Sequence, residues 1–181
     1  MQYSVSRILP YTPRRIWSVL ENVEHFARND PFHHDFEYIT PRRSGVGTAF
    51  RITHTYFPVF PFAADHVVCK IIQWEPERIQ TLLESNERLY RSHIQRFLLT
   101  RKGSATIVQY TISYRGLPSW LFPFSQWVRC GVRRRMKAKL SELALQCDRD
   151  EVNAGAQESI AVPTGDATTH PLPPTLMPSL R

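Results

Sequence analysis

Along most of this chain apolar and polar positions alternate with a period of two, framed by helical periodicity at either end. Tyr3 to Leu9 predicts a first strand. Thr12-Pro13 then offers an N-cap with proline at the first helical position, and Ile16, Trp17, Val19 and Leu20 follow at helical spacing. A second short helix is expected over Val23 to Ala27, stopping near Asn29-Asp30-Pro31, where proline and the residue before it disfavour helix. From there Phe36–Thr40, Ala49–Phe57, Ala64–Trp74, Arg78–Ser85, Leu89–Thr100 and Ala105–Tyr114 all read as strands. Gly45-Val46-Gly47, Glu75-Pro76-Glu77, Asn86-Glu87 and Arg101-Lys102-Gly103 separate them, and such short connections predict an antiparallel meander. The last element is a long helix from about Pro123 to Cys147. Phe124, Val128, Val132, Met136, Leu140, Leu143 and Cys147 form one apolar stripe along it. The pattern predicts an α+β layer: a seven-stranded antiparallel sheet with a single long helix across it and two short helices at one end.

The segment 148–181 has another character. It carries five prolines from Pro163 onward and no hydrophobic period, so the expectation is one folded domain over 1–147 and a disordered tail. Residues 1–147 hold 21 Lys and Arg against 11 Asp and Glu, a net of +10, whereas 148–181 carry −3, so the folded part is the basic part. Such a domain favours an anionic partner. Cys69, Cys130 and Cys147 are odd in number, widely spaced and in no C-x-x-C arrangement, which reads as reduced thiols in a cytoplasmic protein. No long apolar leader opens the sequence, and the stretch Leu117–Val128 is too short and too proline-interrupted to span a bilayer.

Two apolar, proline-studded stretches stand out, Tyr56–Phe62 and Leu117–Phe124. Loops run over the surface, so these read as the lips of an apolar cavity. By contrast, Gly45 and Gly47 are turn glycines, with no following G-x-x-G to make a phosphate cradle. His33-His34-Asp35 reads as a surface loop, because adjacent side chains on an extended segment point apart and no second pair stands at ligand spacing; no metal site is expected. No Ser or Cys sits in a nucleophile elbow.

Several local sequences resemble the START-like (SRPBCC) superfamily, in particular its polyketide cyclase/dehydrase and lipid transport branch. Thr12-Pro13-Arg14-Arg15-Ile16-Trp17 is similar to the family's opening of the first helix, and Val23–Pro31 to its second helix and turn. Gly45-Val46-Gly47-Thr48-Ala49-Phe50-Arg51, Trp74-Glu75-Pro76-Glu77-Arg78-Ile79 and Gly103–Val108 resemble three of its strand and hairpin motifs. The resemblance spans residues 3 to 147 and implies the helix-grip fold. It implies binding or transport of a hydrophobic or amphipathic small molecule, such as a lipid, quinone or polyketide, between sheet and helix. Two alternatives come with it: a cofactor-independent cyclase or aromatase, and a non-enzymatic interaction protein docking through its basic face. No cofactor is implied.

Strand phase selects the cavity-facing residues. Phe50 and Ile52 continue in phase to His54 and Tyr56, and Val108 and Ile112 share a face with Tyr110 and Tyr114. With Val128 and Val132 on the helix, Phe50, His54, Tyr56, Tyr110 and Tyr114 make the candidate ligand site, the polar four fixing a ligand's few polar atoms. Asp65 joins them if Val67, Cys69 and Ile71 face inward. On the helix Arg129, Arg133 and Lys137 form one row, with Arg135 and Lys139 beside it on a solvated face. Together with Phe60, Phe62, Trp120 and Phe122 this row suits an anionic membrane surface, where each Lys or Arg contributes about 1 kcal/mol. No DNA- or RNA-binding module accompanies the charge, so nucleic acid is not the expected partner. A monomer is the expected state.

Overall fold

The computed structural model describes residues 1–30, 33–56, 60–85, 92–115 and 125–160. Their order is β1 (Gln2–Leu9), α1 (Pro13–Glu21), α2 (Val23–Arg28), β2 (His33–Tyr38), β3 (Ala49–Tyr56), β4 (Phe60–Glu75), β5 (Ile79–Ser85), β6 (Ser92–Lys102), β7 (Ala105–Arg115) and α3 (Ser125–Ile160). The strands form one seven-stranded sheet in the order β1-β7-β6-β5-β4-β3-β2, antiparallel throughout. This is the α+β arrangement that the alternation predicts.

Local chemistry accounts for the short helices. The Thr12 side chain accepts from Arg15 N at 3.3 Å with Pro13 at the helix start, and Asn22 caps α2 by accepting from His25 N at 3.1 Å. The main core lies where α1 and α3 meet the inner sheet face. Ile16, Leu20, Phe97, Val108, Met136, Leu140, Leu143 and Cys147 are all buried there, so the helical stripe is the packing face from Met136 onward. A second apolar cluster of Val23, Phe50, Ile52, Val67, Cys69 and Ile71 fills the β3–β4 side.

Four features depart from the sequence reading. First, α3 continues past Cys147 to Ile160, into the segment expected to lack structure. The first proline after Cys147 is Pro163, and nothing before it forbids helix; residues 161–181 lie outside the described residues. Second, β4 begins at Phe60, so Phe60 to Phe62 belong to a strand rather than to a loop. Tyr56 pairs with Phe60 across a register shift, and Pro61, which lacks an N–H, is tolerated at such an irregularity. Third, His33 opens β2 rather than lying in a surface loop, and its side chain is buried. A bulge between His34 and Glu37, with Asp35 at a φ of 52°, inserts one residue and changes the phase. His33 therefore shares the inner face with Phe36, which stacks on Phe50. Fourth, Lys139 and Arg135 do not lie on a solvated face; both line the interior.

Candidate functional site

Register and pleat together place the polar side chains of the interior. Across β2 and β3, His33 pairs with His54, and across β3 and β4, His54 pairs with Asp65. A second row runs over β5, β6 and β7, where Glu84 pairs with His93 and His93 with Tyr114. Cross-strand neighbours on one face come within contact distance. Two residues along, Gln95 and Phe97 keep the phase of His93, and Tyr110 lies opposite Phe97 with the rings stacked at 4.4 Å. From above, Val132, Arg135, Met136 and Lys139 of α3 face these rows, and Asp30 follows α2.

Two groups of contacts hold the cluster. Lys139 Nζ donates to Asp30 Oδ2 at 2.6 Å and sits 4.3 Å from the centre of the Phe26 ring, while His33 Nδ1 lies 3.7 Å from the same carboxylate oxygen. The His33 and His54 rings meet edge to face at 5.3 Å. In the other group His93 Nε2 stands 2.9 Å from Glu84 Oε2, Gln95 Nε2 donates to the other Glu84 oxygen, and the Tyr110 hydroxyl donates to Gln95 Oε1. The Tyr114 ring packs on His93 at 5.1 Å. Asp30, Glu84, His54 and His93 are each less than 5% exposed.

This burial sets the protonation states. Desolvation pushes the Asp30 carboxyl up, but Lys139, His33 and Arg135 together outweigh it and hold the group well below the usual carboxylate range. Burial lowers His33 to about 3, against the pull of Asp30, and burial with the Arg135 charge lowers His54 well below its ordinary value. Desolvation pushes Glu84 up as well, but His93, His54 and Arg135 together outweigh it and lower the group. Tyr110 is raised well above the phenol range by burial and then by Glu84. The result is two ionised carboxylates, two neutral histidines and a protonated phenol in one dry volume. A carboxylate-held imidazole such as Glu84–His93 can orient a polar ligand atom or move a proton.

Two cavities of about 30 Å³ each adjoin the cluster, one lined by Leu20, Phe26, Phe50, Glu84 and Phe97, the other by His54, His93, Tyr110, Tyr114, Val132 and Arg135. Each has room for one or two waters. The sequence reading thus picks out residues that the fold brings together: His54, Tyr110, Tyr114 and Val132 line one cavity, and Phe50 lines the other. Asp65 stands beside them in register but its carboxylate accepts from His66 N at 2.8 Å and lines neither cavity. The side chains of Tyr56, Phe60, Phe62 and Val128, and all of Trp120 and Phe122, lie outside the described residues. Asp30, His33, Glu84, His93, Gln95, Arg135 and Lys139 are absent from the sequence-based set. For His93 and Gln95 the signal is present, since both alternate in phase with the buried Phe97 and Leu99.

Arg129, Arg133 and Lys137 are exposed, as the row predicts. Arg129 and Arg133 border a surface cleft of about 410 Å³ with Gln126 and the first residues of β1. The three cysteines are free thiols, Cys69 and Cys147 buried and Cys130 exposed. Among the described residues no group of His, Cys, Asp and Glu has metal-holding geometry, and no helix is long and apolar enough to cross a membrane.

Comparison of the sequence with protein-family models and with curated proteins gives no match. Solved structures do match. A conserved protein from Geobacillus kaustophilus is 13% identical with a TM-score of 0.67, over 82% of this chain and 96% of that one. The Zhui aromatase/cyclase of Streptomyces sp. R1128 is 10% identical with a TM-score of 0.64, over 82% and 94%. Ara h 8.0201 is 11% identical with a TM-score of 0.59, over 81% and 97%. At such identities the likeness speaks for the fold alone. That fold is the helix-grip fold implied by the resemblance to the START-like superfamily.

Proposed function

We propose that this protein binds a hydrophobic or amphipathic small molecule between the sheet and α3, with the molecule's polar end at the buried cluster. One observation carries the reading: Asp30, Glu84, His33, His54, His93 and Lys139 share one interior. Replacing buried ion pairs by packed apolar residues is often neutral or stabilising, so stability alone does not account for such a cluster. Buried, strongly shifted titratable groups beside a cavity are what recognition of a polar ligand atom requires. A volume of about 30 Å³ accepts a polar group but not an apolar body. Binding therefore requires α3 to move relative to the sheet.

The test is direct. Native mass spectrometry of the protein purified from its own host, together with titration of a dansyl-labelled fatty acid, should show a small-molecule adduct and saturable fluorescence. His54→Ala and Tyr110→Phe should weaken probe binding with the fold intact. No adduct and no saturable binding would overturn the reading.

A second reading has its own support. The cavities are nearly filled, while Arg129, Arg133 and Lys137 are exposed and the first two border a large cleft. This favours a docking protein that meets an anionic membrane through α3, and it requires binding to anionic vesicles that weakens with salt and is absent for neutral ones.

A further inference from the structure

Acidic residues are missing from one side of this molecule. β1, β6, β7 and residues 116–141 contain no Asp or Glu, yet Arg129, Arg133, Arg134, Arg135, Lys137 and Lys139 all fall within that last stretch. Arg135 and Lys139 line the interior, where Asp30 and Glu84 match their charge. Arg129 and Arg133 lie elsewhere. Both are exposed, stand one turn apart and, among the described residues, make no ion pair. They border the cleft of about 410 Å³ whose other wall is the start of β1. Farther along the same seam Arg7 Nη1 donates to Ser141 Oγ at 2.8 Å and ties strand to helix, so the opening is at the Met1 end.

The strand brings donors of its own. β1 is an edge of the sheet and pairs with β7 alone. Tyr114 N donates to Met1 O at 2.8 Å, and along an antiparallel ladder bonded and open positions alternate. The backbone N–H groups of Gln2 and Ser4 therefore point away from β7 toward the open edge, and both residues border the cleft. Burial raises the Tyr3 phenol, and the charges of Arg129 and Arg133 pull it back in part, which sets both guanidiniums on the β1 side of the helix.

The chemistry of the walls selects a class of ligand. Two guanidiniums a turn apart repel each other, and an anion held between them removes that cost. A carboxylate answers one of them. A phosphate monoester carries close to two negative charges and three terminal oxygens, and guanidinium pairs with phosphate through two parallel hydrogen bonds. A cleft of this volume is in the range of small-molecule sites, so the organic part of an ester has room beside its phosphate.

We propose that the cleft between the open edge of β1 and the first turns of α3 is a binding site for an organic phosphate monoester, gripped by Arg129 and Arg133 against the edge N–H groups of Gln2 and Ser4. The site is separate from the interior cluster and stands whether or not the interior takes up a small molecule. It goes beyond the docking reading by naming one cleft and one chemical group in place of a charged face.

The experiment is calorimetric titration at pH 8 and fixed ionic strength with phenyl phosphate and with phenyl sulfate, which has the same shape and one charge fewer. Phenyl phosphate should bind one to one and at least about tenfold more tightly than the sulfate, the scale of one hydrogen bond between charged groups. Arg129→Gln and Arg133→Gln should each weaken it by about tenfold or more. Lys137→Gln, an exposed member of the same row that does not border the cleft, should change it by less than about twofold. Vesicles of phosphatidic acid, a monoester, and of phosphatidylglycerol, a diester, at matched surface charge separate the two sources of the group. Preference for phosphatidic acid that Arg133→Gln abolishes assigns a lipid headgroup; saturation by phenyl phosphate without that preference assigns a soluble ester. Equal affinity for phosphate and sulfate overturns the monoester assignment. Losses in Lys137→Gln equal to those in the two arginine variants overturn the discrete site and leave the docking reading standing. No saturable binding of phenyl phosphate and no preference between the vesicles overturns the proposal outright.

Discussion

The two ends of the volume enclosed by α3 are built to different rules. Toward the C-terminal end Leu140, Leu143 and Cys147 meet Leu9, Ile16 and Val108 in a dry apolar core with little exposed surface. Toward the other end the same helix presents Arg135 and Lys139 to Asp30, His33, His54 and the Glu84–His93 pair. The first end gains stability from each side chain it buries, about 1.5–3 kcal/mol for a fully buried aliphatic. The second gives much of that away in desolvation, which its internal pairs recover only in part. One scaffold thus carries a region that specifies the fold and a region that the fold tolerates.

This contrast can be broken by substitution. Lys139→Met strands Asp30 in the interior and should cost about 3–5 kcal/mol, read as a lower urea midpoint at unchanged slope. The double variant Asp30→Leu/Lys139→Met removes both charges and should return stability to within about 1 kcal/mol of the parent or above it. Leu140→Ala, by comparison, should cost about 2–5 kcal/mol with no second substitution of this kind to rescue it. If the double variant is as unstable as Lys139→Met, the polar end stabilises the fold and the distinction between the two ends fails.

Acid sharpens the same comparison with a smaller effect. His33 stays neutral in the folded protein down to about 3, whereas its unfolded value is 6.5, and His54 is depressed in the same direction. Below pH 6.5 the unfolded chain takes up protons that the folded one refuses. Stability is therefore complete above that pH and falls as pH drops toward 3, by about 1.4 kcal/mol per pH unit for each such histidine. Asp30 and Glu84 act in the same sense at lower pH, where their depressed carboxyls must finally protonate. Thermal melts between pH 7 and pH 4 should show the loss, and His33→Phe should flatten it. An unchanged slope in that variant would place His33 in contact with water.

Period and punctuation made the architecture legible before any coordinates. Thr12-Pro13, the alternation of the strands and the stripe from Met136 to Cys147 each correspond to an element or a buried face. The polar end was legible only in part, because its members are joined by register and by contacts across the fold rather than by local pattern. His54 and Tyr110 follow from phase. His33 did not, because the bulge at Asp35 resets the parity that the pattern relies on. Lys139 and Asp30 meet only through the tertiary fold, and a lysine beside an apolar stripe looks like solvated surface until its partner is placed. Glu84 lies in a strand where both faces are largely buried, so alternation gives it no side.

The central claim is that the polar end under α3 receives the polar group of a bound small molecule. Long-range proton–nitrogen spectra of the imidazole rings test it most directly, recorded during titration with the dansyl-labelled fatty acid. The account predicts that the ring signals of buried His54 and His93 shift and saturate with the fluorescence isotherm, while those of exposed His25 and His66 stay in place. Saturable binding that leaves His54 and His93 unmoved, or that moves only His25 and His66, would contradict it.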